Sequence, residues 1–263
     1  MNWLLENKTA LVCGSTAGIG KAIAETFAAS GCRLILMARN EDKLKRLADS
    51  LPQKGLKHLY VVADFQIPQQ PKNQLEALLS DNPGLGIDIL VNNTGGPAPG
   101  PAHTSNSQAF IDAFSAHLIN NHELMQICIP HMQANQWGRI INIISTSVKI
   151  PLPGLGVSNT VRGAVGNWSK TLANELGAWN ITVNNVLPGA TATERLEAII
   201  NKKAEKTGRS TAEISEEMRS EIPLNRFAQP QEIAAAVAFL ASENANYING
   251  INIPIDGGRT GNL

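Results

Sequence analysis

The stretch GLGVSNTVRGAVG at 154–166 leads into a run of apolar residues three and four apart, and its polar side chains are Ser158, Asn159, Thr160 and Arg162. At a helix entrance such a set can hydrogen-bond an oxygen or hold an anion. It is poor at giving up a proton, because arginine stays charged and an aliphatic hydroxyl is a very weak acid. A second stretch, Cys13-Gly14-Ser15-Thr16-Ala17-Gly18-Ile19-Gly20, joins a strand-like run to a helical one. Glycines there let the backbone turn sharply and approach a pyrophosphate, whose charge sits at the helix amino terminus. A plain tight turn uses the same residues, but the position, in the first strand-to-helix turn, favours the phosphate.

Where the second strand ends, a dinucleotide site that takes NAD carries an acidic residue for the ribose 2'-hydroxyl. This chain reads Met37-Ala38-Arg39-Asn40. No carboxylate is present, and Arg39 suits a 2'-phosphate, hence NADP(H); the alternative is an exposed basic residue at a strand end. Asp64, closing VVADF, either accepts from an adenine amino group or simply forms a turn.

The elements that must position these residues follow from apolar periodicity. TALVCG, RLILMAR, LYVVAD, IDILVNN, RIINIIS, ITVNNVLP and INIPIDGG predict seven strands. Between them KAIAETFAAS, DKLKRLADSL, KNQLEALLSD, the spans 108–136 and 159–179, and QEIAAAVAFLAS carry helical spacing. In 159–179, Val161, Val165, Trp168, Leu172 and Leu176 form one stripe that should face a sheet. Strands apolar on both faces and alternating with helices predict a doubly wound, seven-stranded parallel sheet, the Rossmann arrangement, in a single α/β domain spanning 1–263. Residues 190–227 form a polar, charged insertion, either a substrate lid or a solvated excursion.

Composition sets the outer bounds. The 263 residues are 43% hydrophobic and 17% charged, and 22 basic residues balance 22 acidic ones. That points to neither nucleic acid nor a membrane surface. The longest near-apolar run, 233–241, is too short to span a bilayer, and the start shows no secretory pattern. Cys13, Cys32 and Cys128 are widely spaced in apolar contexts, which suits buried free thiols and a cytoplasmic setting. No metal site is expected.

With these pieces placed, GSTAGIG at 14–20, NNTGG at 92–96, GRIINIIS at 138–145, VNNVLPG at 183–189 and YINGINIPIDGG at 247–258 make the chain resemble the short-chain dehydrogenase/reductase family over nearly its whole length. Among its subgroups it looks most like the 3-oxoacyl-carrier-protein reductase-like members. Cys13 stands where the glycine motif usually opens with Thr, and Thr94 where NNAG has Ala. The resemblance implies that Gly14, Ser15, Thr16, Gly18, Ile19, Gly20 and Arg39 hold cofactor phosphates. It places Asp64, Asn92 and Gly95 on the adenine side and in the adjoining loop, and Pro188, Gly189, Thr191 and Thr193 at the nicotinamide end. It also implies a homotetramer built on 108–136 and 159–179, and makes a 3-oxoacyl thioester a plausible substrate.

The family's catalytic set is a serine, a tyrosine thirteen residues on, a lysine four further, and an asparagine from the preceding long helix. In this sequence those places hold Ser145, Ser158, Arg162 and His117. The resemblance therefore implies an NADP(H)-dependent oxidoreductase whose acid and ribose-holding base have been replaced. His117 is the leading candidate donor because free imidazole titrates near pH ~6.5, although a histidine on a packed helix also serves as a structural residue. Lys149 and His103 are weaker candidates. The rival reading is an NADP(H)-binding pseudoenzyme that senses the nucleotide or presents a partner surface.

Overall fold

The seven expected strands pair into one parallel sheet in the computed structural model, which describes residues 5–53, 55 and 57–261. They are β1 (Thr9–Cys13), β2 (Arg33–Ala38), β3 (Leu59–Val62), β4 (Ile89–Asn92), β5 (Gly138–Ile143), β6 (Ile181–Pro188) and β7 (Asn252–Ile255). Their order is β3-β2-β1-β4-β5-β6-β7. The winding reverses between β1 and β4, and a crevice opens there beyond the strands' carboxyl ends, the place where doubly wound sheets bind ligands. The single-domain reading of 1–263 extends past the described residues at both termini.

Side-chain alternation sends neighbouring residues to two cores. Ala10 and Val12 of β1, with Leu34 and Leu36 of β2, join α1 (Gly18–Ala29), α2 (Glu41–Ser50) and α9 (Pro230–Ala241) on one face. Leu11, Cys13, Ile35 and Met37 join α3 (Gln70–Ser80), α5 (Asn120–Ala134) and α6 (Gly156–Leu176) on the other. Burial on both sides is why these strands read as continuous apolar runs. In the α6 stripe Val161, Val165, Leu172 and Leu176 are buried and Trp168 packs at its margin. The three cysteines are free and buried, and burial pushes the Cys13 thiol up to about 12.

Two differences from the expected boundaries matter. Residues 108–136 do not form one uniform helix: α4 (Ser107–Phe114) passes through a wider π turn at Ser115–Ile119 before α5. And α6 begins at Gly156, three residues early, because the Gly100 carbonyl accepts from the Gly156 N–H at 2.9 Å. Ser158 thus lies in its first turn.

The 190–227 segment folds into α7 (Glu194–Thr207) and α8 (Thr211–Ser220) around a small core of Leu196, Ile200, Ala204 and Ile214. Lys203 and Arg209 both grip Glu217 between them. Among the described residues no helix is long and apolar enough to cross a membrane, and no cluster of side chains suits a metal ion.

Candidate active site

The glycine turn is tight for steric reasons. Gly14 and Gly18 adopt φ of 60° and 50°, where L side chains are strained. A Cβ on Gly20 would lie 2.1 Å from the Gly14 carbonyl oxygen. Ahead of α1 the N-cap is Ala17, which offers no side-chain acceptor, and the first turn contains no acidic residue. The leading N–H groups of α1 are therefore left for an anion. Thr16 and Ile19 are half-buried beside this turn. Ser15 is fully buried, and its hydroxyl donates toward the Met37 carbonyl at 3.4 Å, which ties the turn to the end of β2.

Just past β2, the Arg39 side chain is 70% exposed and stands 3.9 Å from Asp64. The other Asp64 oxygen accepts from the Gln66 N–H at 2.9 Å, so this carboxylate does form a turn. Asn92 is placed differently from expectation. Its side chain is buried inside the sheet and donates to Asn142 at 2.8 Å, so it does not reach the crevice. The neighbour does: the Asn93 amide donates to the carbonyls of Cys13 and Gly14 at 3.2 and 3.4 Å, tying the β4 loop to the glycine turn. Gly95 follows in that loop.

The β6 end faces the same turn. Gly189 passes so close to Asp256 that a Cβ would meet its Cα at 2.7 Å. Beyond Pro188 and Gly189, Thr191 donates to the Gly189 carbonyl, and Thr193 caps α7 by accepting from the Leu196 N–H. A Cβ on Gly18 would lie 3.0 Å from the Thr193 methyl group, so the two ends of the nucleotide crevice are in near contact.

Beside this crevice lies the chemical corner. Ser145 leaves β5 in extended conformation and caps a short 3₁₀ turn, accepting from the Ser147 N–H at 3.1 Å. Ser158 and Arg162, one turn apart on α6, are both buried. Arg162 donates from Nη1 to the Ile143 carbonyl at 2.8 Å, which fixes it to the end of β5 two residues before Ser145. Its buried Nε has no acceptor.

His117 sits in the π turn, buried, with the Gly95 backbone near enough to bear on its ring. Burial foremost, then the charges of Arg162 and Arg195, pull its pKa down to about 3. A ring held neutral in this way is a weaker proton donor than the free imidazole that the sequence suggested. The difference from the ordinary imidazole value comes from burial and from two cations that the fold brings near. Lys149 and His103 lie on the surface.

The sequence reading missed Arg195. From the first turn of α7 it donates to the Gly96 carbonyl at 3.1 Å, reaching across to the β4 loop. Burial lowers the pKa of Arg195, and burial followed by the Arg195 charge brings Arg162 down to about 10. One sequence signal was available: a cation in a helix's first turn opposes the helix dipole and calls for another reason to be there.

Known proteins of the same build give this geometry its context. A family model described as enoyl-(acyl carrier protein) reductase matches residues 14–260. The chain is 31% identical to the NADPH-dependent reductase BacG of Bacillus subtilis over 255 residues, 97% of this chain and 98% of that protein. It is 34% identical to the 3-oxoacyl-[acyl-carrier-protein] reductase FabG of Haemophilus influenzae over 256 residues, with 97% and 98% covered. The crystal structure of L-sorbose reductase from Gluconobacter frateurii with NADPH and L-sorbose superposes with a TM-score of 0.92 at 32% identity, covering 100% of each chain. With its seven-stranded sheet, its glycine turn and relatives aligned end to end, the chain belongs to the short-chain dehydrogenase/reductase family of oxidoreductases.

Proposed function

We propose that this protein is an NADP(H)-dependent oxidoreductase that moves a hydride between the nucleotide and a carbonyl or hydroxyl carbon of a small molecule, using an altered catalytic set. The observation that carries this reading is the 2.8 Å bond from Arg162 to the end of β5. It gathers the polar residues of α6 beside Ser145, at the crevice that the glycine turn opens.

The residues fit an NADP(H) nucleotide. The uncapped α1 and the close-packed glycines leave backbone N–H groups for the pyrophosphate. Arg39, largely in solvent and only loosely engaged by Asp64, is free to take a 2'-phosphate. Relatives named for NADPH support the same choice. Thr191 and Thr193 border the nicotinamide end, and the ring supplies the hydride when bound there.

Ser145 then holds the substrate oxygen, and Ser158 and Arg162 line the site. A neutral His117 orients the 93–96 loop through Gly95 and leaves proton supply to solvent or to a relay through Ser158. General acid catalysis is typically worth ~10²–10⁴ in rate. Positioning contributes as much or more, so replacement of the family's tyrosine slows turnover without abolishing it.

A second reading, an NADP(H)-binding pseudoenzyme, has one observation in its favour: with His117 pulled to about 3, none of the four residues is a ready acid at neutral pH. Absorbance at 340 nm with NADPH and a panel of ketones, oxoacids and 3-oxoacyl thioesters decides between them. Oxidation that falls at least about tenfold in Ser145→Ala supports the oxidoreductase. Tight NADPH binding by calorimetry with no oxidation across the panel supports the pseudoenzyme.

The 190–227 segment acts as the substrate lid, a reading supported by the Arg195 contact to Gly96 across the crevice. Assembly is a homotetramer through the α4–α5 and α6 faces. Support comes from the exposed Ile111, Phe114 and Ile119, which leave an apolar stripe on that run. Three buried free thiols suit a cytoplasmic setting.

A further inference from the structure

Most arginines from α7 onward are neutralised where they stand. Arg209 grips Glu217, Arg219 grips Glu216, Arg226 grips Glu232 and Arg259 grips Glu221. Arg162 and Arg195 differ: neither has a carboxylate partner among the described residues, and each spends only one bond on a backbone carbonyl. Both charges act on the same histidine, Arg162 from α6 where it holds the Ile143 carbonyl and Arg195 from the first turn of α7 where it holds the Gly96 carbonyl. Arg162 is buried with Nε unused, a costly state that Arg139 of β5 shares, but Arg139 has three acceptors for its other donors and Arg162 has one. Gly96 leaves the space for Arg195, since a Cβ there would sit 2.6 Å from Nη2.

Two like charges, Arg162 buried on α6 and Arg195 at the exposed start of α7, repel one another beside a neutral imidazole. An anion between them relieves that repulsion and supplies acceptors for the open guanidinium positions, the fork geometry that arginine offers to carboxylates. The corner adjoins Ser145, so the anion lies close to the reacting carbon.

We infer that Arg162 and Arg195 form a receptor for a carboxylate on the substrate, so that this protein acts on oxoacids in preference to neutral ketones or thioesters. The inference rests on the oxidoreductase reading above for what happens to the bound molecule, but the binding itself is separable from turnover.

The test is calorimetric titration of 2-oxopentanoate, 4-oxopentanoate and their methyl esters into protein saturated with NADP+, so that the nucleotide's own phosphates are already seated. At least one acid is expected to bind about tenfold or more tightly than its ester, the scale of a lost charge-assisted contact. That ratio should collapse toward one in Arg195→Met and be partly kept in Arg195→Lys. Arg195 is on the surface of α7, so these variants fold even if Arg162→Met does not.

Acids and esters that bind alike, or both fail to bind, overturn the inference. So does an acid preference that survives Arg195→Met. Acid binding seen only without nucleotide and lost at saturating NADP+ also overturns it, because the arginines then serve the cofactor. Acid-selective binding without NADPH oxidation leaves the receptor standing and removes the oxidoreductase reading. Oxidation of esters as readily as acids does the reverse.

Discussion

Strand β5 has a buried arginine at each end, and the two are treated in opposite ways. At its start, Arg139 is fully buried and donates from Nη1 to the carbonyls of Gly138 and Asn180 at 2.7 and 3.2 Å. Its Nη2 bonds the Asn246 side chain, its guanidinium lies 4.2 Å from the centroid of the Trp137 ring, and its Nε, like that of Arg162, has no acceptor. At the far end, Arg162 donates to the Ile143 carbonyl and to little else. Burial lowers both to about 10, but the nearby charge differs in sign: Glu243 partly restores Arg139, whereas Arg195 pushes Arg162 further down. Three acceptors, an aromatic face and a nearby carboxylate make Arg139 a structural fastening. One acceptor and a second cation make Arg162 a group held ready for something else. The contrast teaches that burial of a charge is not in itself informative; what its remaining donors face is.

The largest expected effect is at the structural end. Arg139→Met removes the donor shared by the buried Gly138 carbonyl and by the oxygens of Asn180 and Asn246, two exposed residues, so stability should fall by ~1–3 kcal/mol in denaturant melts. A change under ~1 kcal/mol would break the comparison.

Acid stability comes next and reports on the open end. Below pH ~6.5 the unfolded chain binds a proton at His117 that the folded chain refuses until about 3. Stability is therefore lost as pH falls through that window, by up to ~1.4 kcal/mol per unit from this group. His117→Asn should flatten the slope, leaving the contribution of His58, whose pKa is also lowered by burial, and at the acid end those of Glu213, Glu217, Glu232 and Asp256, whose hydrogen bonds hold their carboxyls low. Identical pH–stability curves for the two proteins would show that the ring is not held neutral.

The smallest effect sharpens the contrast most. Arg162→Met gives up one hydrogen bond and also removes a poorly compensated buried cation, so stability should change by less than ~1 kcal/mol in either direction. The same substitution should raise the His117 pKa, followed by NMR of the imidazole, while Arg139→Met leaves it alone. A destabilisation equal to that of Arg139→Met would make both arginines fastenings.

Much of this was legible in the sequence. The seven strands and the flanking helices followed from apolar runs, because a parallel sheet buried on both faces leaves that pattern. The glycine turn was legible because it is a backbone requirement that few residues meet. Asn92 was harder: in ILVN every residue is buried, so alternation did not say which of Asn92 and Asn93 faces the crevice. The placing of Ser145, Ser158 and Arg162 came from spacing, but the state of His117 did not. Its pKa is set by burial and by two arginines, one 45 and the other 78 positions further along the chain, which only the folded arrangement brings near. Arg195 was hidden for the same reason, since its reach depends on how the 190–227 segment lies over the β4 loop.

The wider turn at Ser115–Ile119 makes one continuous rod serve two partners that demand different rotational settings. Upstream, Ala109, Phe110 and Ala113 pack toward Val157 and Val161 of α6; downstream, Leu124, Met125, Cys128 and Met132 point into the sheet's core. Each α-helical residue advances the rotation by about 100°. Chain length through this turn therefore sets phase: loss of one residue would misalign one half of the rod by a quarter turn or more, and would turn His117 away from Gly95. An insertion or deletion here would act as a gear slip between the sheet and the catalytic corner, even though no side chain that touches substrate had changed.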